Sequence, residues 1–207
     1  MNVLLIGATG LVGRECLRLL VVEPSIMRVV VLARRPLPPD ALGPKVESHV
    51  VDFDHLERAA EIAKADAGFC ALGTTIRRAG SQQRFREVDF GYPLAVARLA
   101  LAQGARHFLL VSALGADSRS RVFYNRVKGD LEAAVRALGY RSVTIARPSL
   151  LLGDREEFRL GEKVFARLAW MVPRWWKPVP AVDVARVLVR AAVEDAAGVR
   201  VIESREI

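Results

Sequence analysis

The chain has 207 residues, 52% of them apolar, and a formal net charge of +8. That size suits a single α/β domain with a sizeable core, and no run of about 18 uninterrupted apolar residues points to a membrane-spanning helix. The lysines are confined to Lys45, Lys64, Lys128, Lys163 and Lys177; the excess charge is scattered arginine without interleaved aromatics, which argues against nucleic acid and toward a small anionic ligand.

The first apolar run, Val3 to Ile6, reads as a core strand rather than a leader peptide. It stops at Gly7, and GATGLVG (7–13) then leads into an apolar-periodic helix. Strand, glycine-rich turn and helix N-terminus together make a pyrophosphate site. Free N–H groups and the positive helix end face the turn, and glycine lets phosphates approach the backbone. Gly7, Ala8, Thr9, Gly10, Leu11, Val12 and Gly13 are therefore cofactor-binding candidates. The second strand, RVVVLARRP (28–36), ends where such folds meet the adenosine ribose. An acidic residue there would select NAD; Arg34 and Arg35 suit a 2′-phosphate and point to NADP, with NAD the alternative. PLPPDALGP (36–44) reads as a rigid surface loop. Asp52, after the third strand, is a candidate acceptor for the adenine amino group, and equally an N-cap for a helix near 55–64, as is Asp54.

Cys16 and Cys70 fall in a predicted helix and strand, and neither they nor His49, His55 and His107 have metal-ligand spacing. No metal is expected, and the setting is expected to be a reducing cytoplasm. The fourth strand ends CALGTT, adding Leu72, Gly73, Thr74 and Thr75 to the cofactor candidates. Strands are predicted near 2–6, 28–33, 46–51, 67–72, 107–111, 141–146 and 199–203. Helices are predicted near 11–22, 55–64, 83–102, 121–138, 160–171 and 181–195, with Gly104 and Gly139 as stops. This alternation is that of a doubly wound parallel sheet, the Rossmann architecture, in one domain spanning 1–207.

Ser112 stands at the carboxyl end of the fifth strand. Tyr124 and Lys128 follow, four apart on one helix face. A phenol is a poor acid near neutrality; a neighbouring ammonium makes it a usable proton donor. Ser112 is expected to hydrogen-bond the substrate oxygen. ARPSLLLG (146–153) ends the sixth strand. Pro148 bends the chain past the nicotinamide, Ser149 and Leu150 are contact candidates, and Arg147 is read as structural or functional. Residues 149–180 are expected to form a small C-terminal lobe on the substrate side, a lid. Within it WMVPRWWKPVP (170–180) reads as a core cap or lid, or alternatively a dimer or membrane-surface contact.

Together these residues resemble the short-chain dehydrogenase/reductase superfamily. GATGLVG is similar to the turn of its extended and atypical branches. LGTTIRRAGSQQRFREVDF (72–90) and LVSALGADSRSRVFYNRVKGDLE (110–132) resemble the atypical group of the Tat-interacting protein type. The resemblance covers about residues 2–203. It implies an NADP-binding oxidoreductase with Tyr124 as acid/base, Lys128 on the nicotinamide ribose and Ser112 orienting a substrate carbonyl. The superfamily's catalytic asparagine has no clear counterpart; Asp89 and Phe90 lie in the corresponding helix, and Asn125 lies inside the Tyr–Lys motif. The group also holds regulators, so an NADPH-binding sensor with little turnover is the alternative. A scaffold peripheral to a membrane through Trp170, Trp175 and Trp176 is a third reading. A monomer and a homodimer through the helices near 83–102 and 121–138 are both compatible.

Overall fold

A computed structural model of the chain describes residues 1–152 and 178–207. Seven parallel strands form one sheet: β1 (Asn2–Ile6), β2 (Arg28–Ala33), β3 (Val46–Val50), β4 (Ala67–Cys70), β5 (His107–Val111), β6 (Ser142–Arg147) and β9 (Gly198–Glu203). Their order is β3-β2-β1-β4-β5-β6-β9. Chain order reverses at β1, between β2 and β4, which opens a crevice at the carboxyl ends of those strands. Register brings the ends level: Ile6 pairs with Leu32 and with Cys70, and Val111 pairs with Ala146. Gly7, Ala71 and Ser112 thus leave one rim of the sheet.

The central strands are apolar on both faces because helices cover both. One layer of core joins β1 and β2 to α1 (Leu11–Val22) and α6 (Ala181–Glu194), which pack on each other. The other joins the opposite face to α4 (Tyr92–Ala102) and α5 (Phe123–Arg136). Edge strands β3 and β9 carry exposed positions, as half-covered strands do. Gly104 and Gly139 end their helices at φ of 100° and 83°, as expected of such stops.

Two predicted helices are corrected. The one near 55–64 is a pair of 3₁₀ turns, Phe53–Ala59 and Glu61–Ala63, broken at His55 (φ −133°, ψ 47°). The one near 83–102 is three pieces: α3 (Gln82–Arg86), a π turn (Glu87–Gly91) and α4, preceded by a short α2 (Ile76–Ala79). Pro93 explains the break. It has no N–H to give the Asp89 carbonyl, and the Tyr92 N–H reaches back instead to the Glu87 carbonyl. Loop 36–44 carries a 3₁₀ turn at Pro39–Ala41. The predicted helix near 160–171 and residues 170–177 lie outside the described residues. Of the expected lobe, β7 (Leu151–Leu152) and β8 (Val179–Pro180) form a parallel pair.

His107 opens β5 at the end of the sheet opposite the crevice. Its ring is buried, with Nε2 2.9 Å from Thr144 Oγ1 and Nδ1 3.5 Å from Asp195. Burial is the largest influence and holds the imidazole below its usual 6.5, with Asp195 opposing. The folded state therefore takes up this proton less readily than the unfolded chain, and stability is lost as pH falls from about 6.5 through the depressed value. Each pH unit of depression is worth about 1.4 kcal/mol. Urea midpoints should drop across that window, and His107→Gln should flatten the drop.

Candidate active site

Gly7 takes φ 80°, and a Cβ there would come within 2.5 Å of the Ala71 backbone. Gly13, in the first turn of α1, packs so tightly under Gly7 that any Cβ would overlap the Gly7 carbonyl. The turn is closed by Gly10 N–H on the Gly7 carbonyl at 2.9 Å. Gly10 caps α1 without a capping side chain, and no acidic residue occupies the first turn. The helix therefore presents its first N–H groups uncapped to the crevice, a cradle that accepts phosphate oxygens and suits a dinucleotide.

On one side of this turn lies a cavity of about 350 Å³. Gly10, Leu11 and Val12 line it, as do Leu72, Gly73, Thr74 and Thr75, and Ser112, Tyr124, Lys128, Ser149 and Leu150. A larger hollow of about 870 Å³ runs along α1 on the side of loop 37–43 and includes Ala8 and Thr9. None of Ser112, Tyr124 and Lys128 borders it among the described residues; the three candidates for catalysis meet at the smaller cavity.

Tyr124 is half-buried on α5, its ring 5.5 Å from that of Phe85. One turn later Lys128 is buried, and its Nζ lies 2.7 Å from Asp89 Oδ1. This contact is a buried ion pair. Burial pulls the ammonium down, but Asp89 and Tyr124 more than reverse it, so Lys128 is held above the ordinary lysine range. Asp89 Oδ2 accepts the Thr74 N–H at 2.8 Å.

Ser112 lines the cavity but gives its proton away: Oγ donates to Glu132 Oε1 at 2.5 Å. Glu132 is buried and also receives Arg147 at 2.9 and 2.6 Å and Arg136 at 3.1 Å. Arg147 reaches Glu203 as well, at 2.9 Å. Hydrogen bonding to Glu132 raises the Arg147 guanidinium further above its usual value. Arg147 is thus structural, and the serine is oriented toward Glu132. The spacing Tyr124, Lys128, Glu132 carried the signal, since three residues four apart share one helix face.

Arg34 and Arg35, directly after β2, are both exposed, and neither makes an ion pair among the described residues. Asp52 is exposed and outside the cavity. It caps the 3₁₀ turn by accepting the Asp54 N–H at 3.0 Å, the second of its two expected roles. Asp54 is no cap; it accepts the Tyr92 hydroxyl at 2.7 Å. Thr75 caps α2. Pro148 is buried and its carbonyl accepts the Leu114 N–H at 2.9 Å, while the Ser149 N–H donates to Ser204 Oγ at 3.1 Å. Burial pushes the thiols of Cys16 and Cys70 up to about 12, which removes them as nucleophiles. Among the described residues no cluster suits a metal, and no helix is long and apolar enough to cross a membrane.

Residues 7–195 match the NAD(P)H-binding family. The chain belongs to that family. It is 36% identical over 202 residues to HTATIP2 of Rattus norvegicus, covering 95% of this chain and 83% of that protein. It is also 36% identical over 216 residues to the protein FMP52, mitochondrial, of Eremothecium gossypii, covering 100% and 96%. Among solved structures, MoeE5 in complex with UDP-glucuronic acid and NAD superposes with a TM-score of 0.75 at 19% identity, covering 98% of this chain and 75% of that one. Human epimerase family protein SDR39U1 with NADPH gives 0.63 at 21%, covering 97% and 73%. At such identities the likeness to these two is one of fold. The resemblance to the atypical short-chain dehydrogenase/reductases is borne out, as is the doubly wound sheet. One expectation is corrected: fungal relatives are named mitochondrial, which points away from a purely cytoplasmic setting.

Proposed function

We propose that this NAD(P)H-binding protein is an NADPH-dependent reductase of a carbonyl or activated double bond, with Tyr124 as proton donor. One observation carries the reading: Tyr124, the Lys128 ammonium and the uncapped start of α1 border a single cavity. The bound dinucleotide supplies the hydride. Gly10, Leu11 and Val12 hold its pyrophosphate through the helix N-terminus, Lys128 holds the nicotinamide ribose, and Leu72 to Thr75, Pro148, Ser149 and Leu150 flank it. Tyr124 gives its hydroxyl proton to the substrate oxygen as charge develops there, and Lys128 stabilises the phenolate left behind.

The exposed pair Arg34 and Arg35 supports NADPH over NADH, because guanidiniums that make no ion pair among the described residues are available to a 2′-phosphate. Calorimetry should show NADPH binding about 10- to 100-fold tighter than NADH, that is about 1.4–2.8 kcal/mol. Arg34→Ala/Arg35→Ala should bring the two affinities together. Binding of neither dinucleotide by the wild type would sink the assignment. Substrate-dependent NADPH oxidation across a panel of aldehydes, ketones and enones then tests turnover.

A sensor with little turnover is the second reading, and Ser112 favours it. A hydroxyl that donates to Glu132 cannot at the same time donate to a substrate carbonyl. Tight NADPH binding with no oxidation over the whole panel selects this reading.

A further inference from the structure

Asp89 has no part in the chemistry described so far, yet it is the most buried charge beside it. Its side chain is buried, at 1% exposure, against the wall of the cavity. It sits in the middle of the π turn, and each of its carboxylate oxygens has a separate duty: Oδ1 faces Lys128 Nζ, Oδ2 takes the Thr74 N–H. Gly73 lies against the pair; a Cβ there would be 3.3 Å from Oδ1 and 3.6 Å from Nζ. A buried ammonium in this position would shed its proton without a partner. The groups around Lys128 show where that partner comes from. From α5 come Tyr124, a phenol, and Glu132, which is committed to Ser112, Arg136 and Arg147. From β4 comes Cys70, a thiol that stays protonated. Among the described residues, Asp89 is the carboxylate in contact.

We propose that Asp89 is the positioning residue of this site: it keeps Lys128 a cation and locks the 72–75 loop to it as one unit. The two functions share one side chain, so the wall under the cofactor and the charge beside Tyr124 are set together. The consequence for turnover rests on the reductase reading; the charge state of Lys128 does not.

The test is carbon-13 NMR of the lysine Cε resonances in the cofactor-free protein. The chain has five lysines, and Lys128→Met assigns the signal. In the wild type the Lys128 resonance should titrate no earlier than the others. In Asp89→Asn, which retains an acceptor for the Thr74 N–H, it should titrate roughly 3 pH units below them. Asp89→Glu should restore the late titration. An Asp89→Asn protein whose Lys128 titrates with the remaining lysines while folded overturns the proposal. If Asp89→Asn does not fold, Asp89→Asn/Lys128→Met should, because the unpaired cation is gone; failure of the double variant to recover overturns the proposal as well. If the titrations run as expected and no carbonyl is reduced, the reductase reading fails and Asp89 keeps its role.

Discussion

Tyr124→Phe should lower kcat for NADPH-dependent reduction by about 10²- to 10⁴-fold, the contribution of a positioned general acid. NADPH affinity and thermal midpoint should stay as in the wild type. The tilted ring contact with Phe85, at 5.5 Å and 46°, needs only the ring, which phenylalanine keeps. Lys128 retains Asp89 as its partner. Steady-state kinetics should show kcat and kcat/KM falling together, the mark of an interaction made in the transition state. A variant that keeps wild-type turnover would remove Tyr124 as the donor. Because Ser112 donates to Glu132, its hydroxyl can replace the phenol only by first turning away from that carboxylate.

Gly13→Ala should cost both binding and stability. The added methyl would have to occupy the space of the Gly7 carbonyl, a backbone atom that cannot swing aside as a side chain can. Relief requires α1 to move off β1, which opens the turn that presents its N–H groups. Overpacking of this kind costs about 1–3 kcal/mol, read as a lower urea midpoint. NADPH affinity should fall about 100-fold, or about 2.8 kcal/mol, since the phosphate cradle is the part displaced. Gly10→Ala is the internal control: its Cβ would meet the Gly7 carbonyl at 3.3 Å, a contact small shifts can absorb. An affinity unchanged in Gly13→Ala would mean that the turn does not hold the pyrophosphate.

Much of this site was legible in the order of residues. A strand, a glycine turn and a helix are consecutive in the chain, so their geometry is local and the tight turn with its uncapped helix start could be read from GATGLVG. The four-residue spacing from Tyr124 to Lys128 was equally local. Less was legible between 52 and 92. Asp52 could be read as an adenine contact or as a cap, and the decision turned on whether its oxygen found the Asp54 N–H. The helix predicted over 83–102 broke because one proline cannot supply the N–H at position 93, which an apolar periodicity does not register.

The sequence by itself determined the alternation of strands and helices, the crevice-side turn and the face shared by Tyr124, Lys128 and Glu132. These are matters of periodicity and of glycine's freedom at Gly7. Only the tertiary structure decided the partners of the buried charges. Asp89 meets Lys128 across 39 residues of chain, and Ser112, Glu132 and Arg147 come together from β5, α5 and the end of β6. A charge taken out of water must find its opposite in whatever element packs against it, and packing is set by the whole sheet rather than by neighbours in sequence.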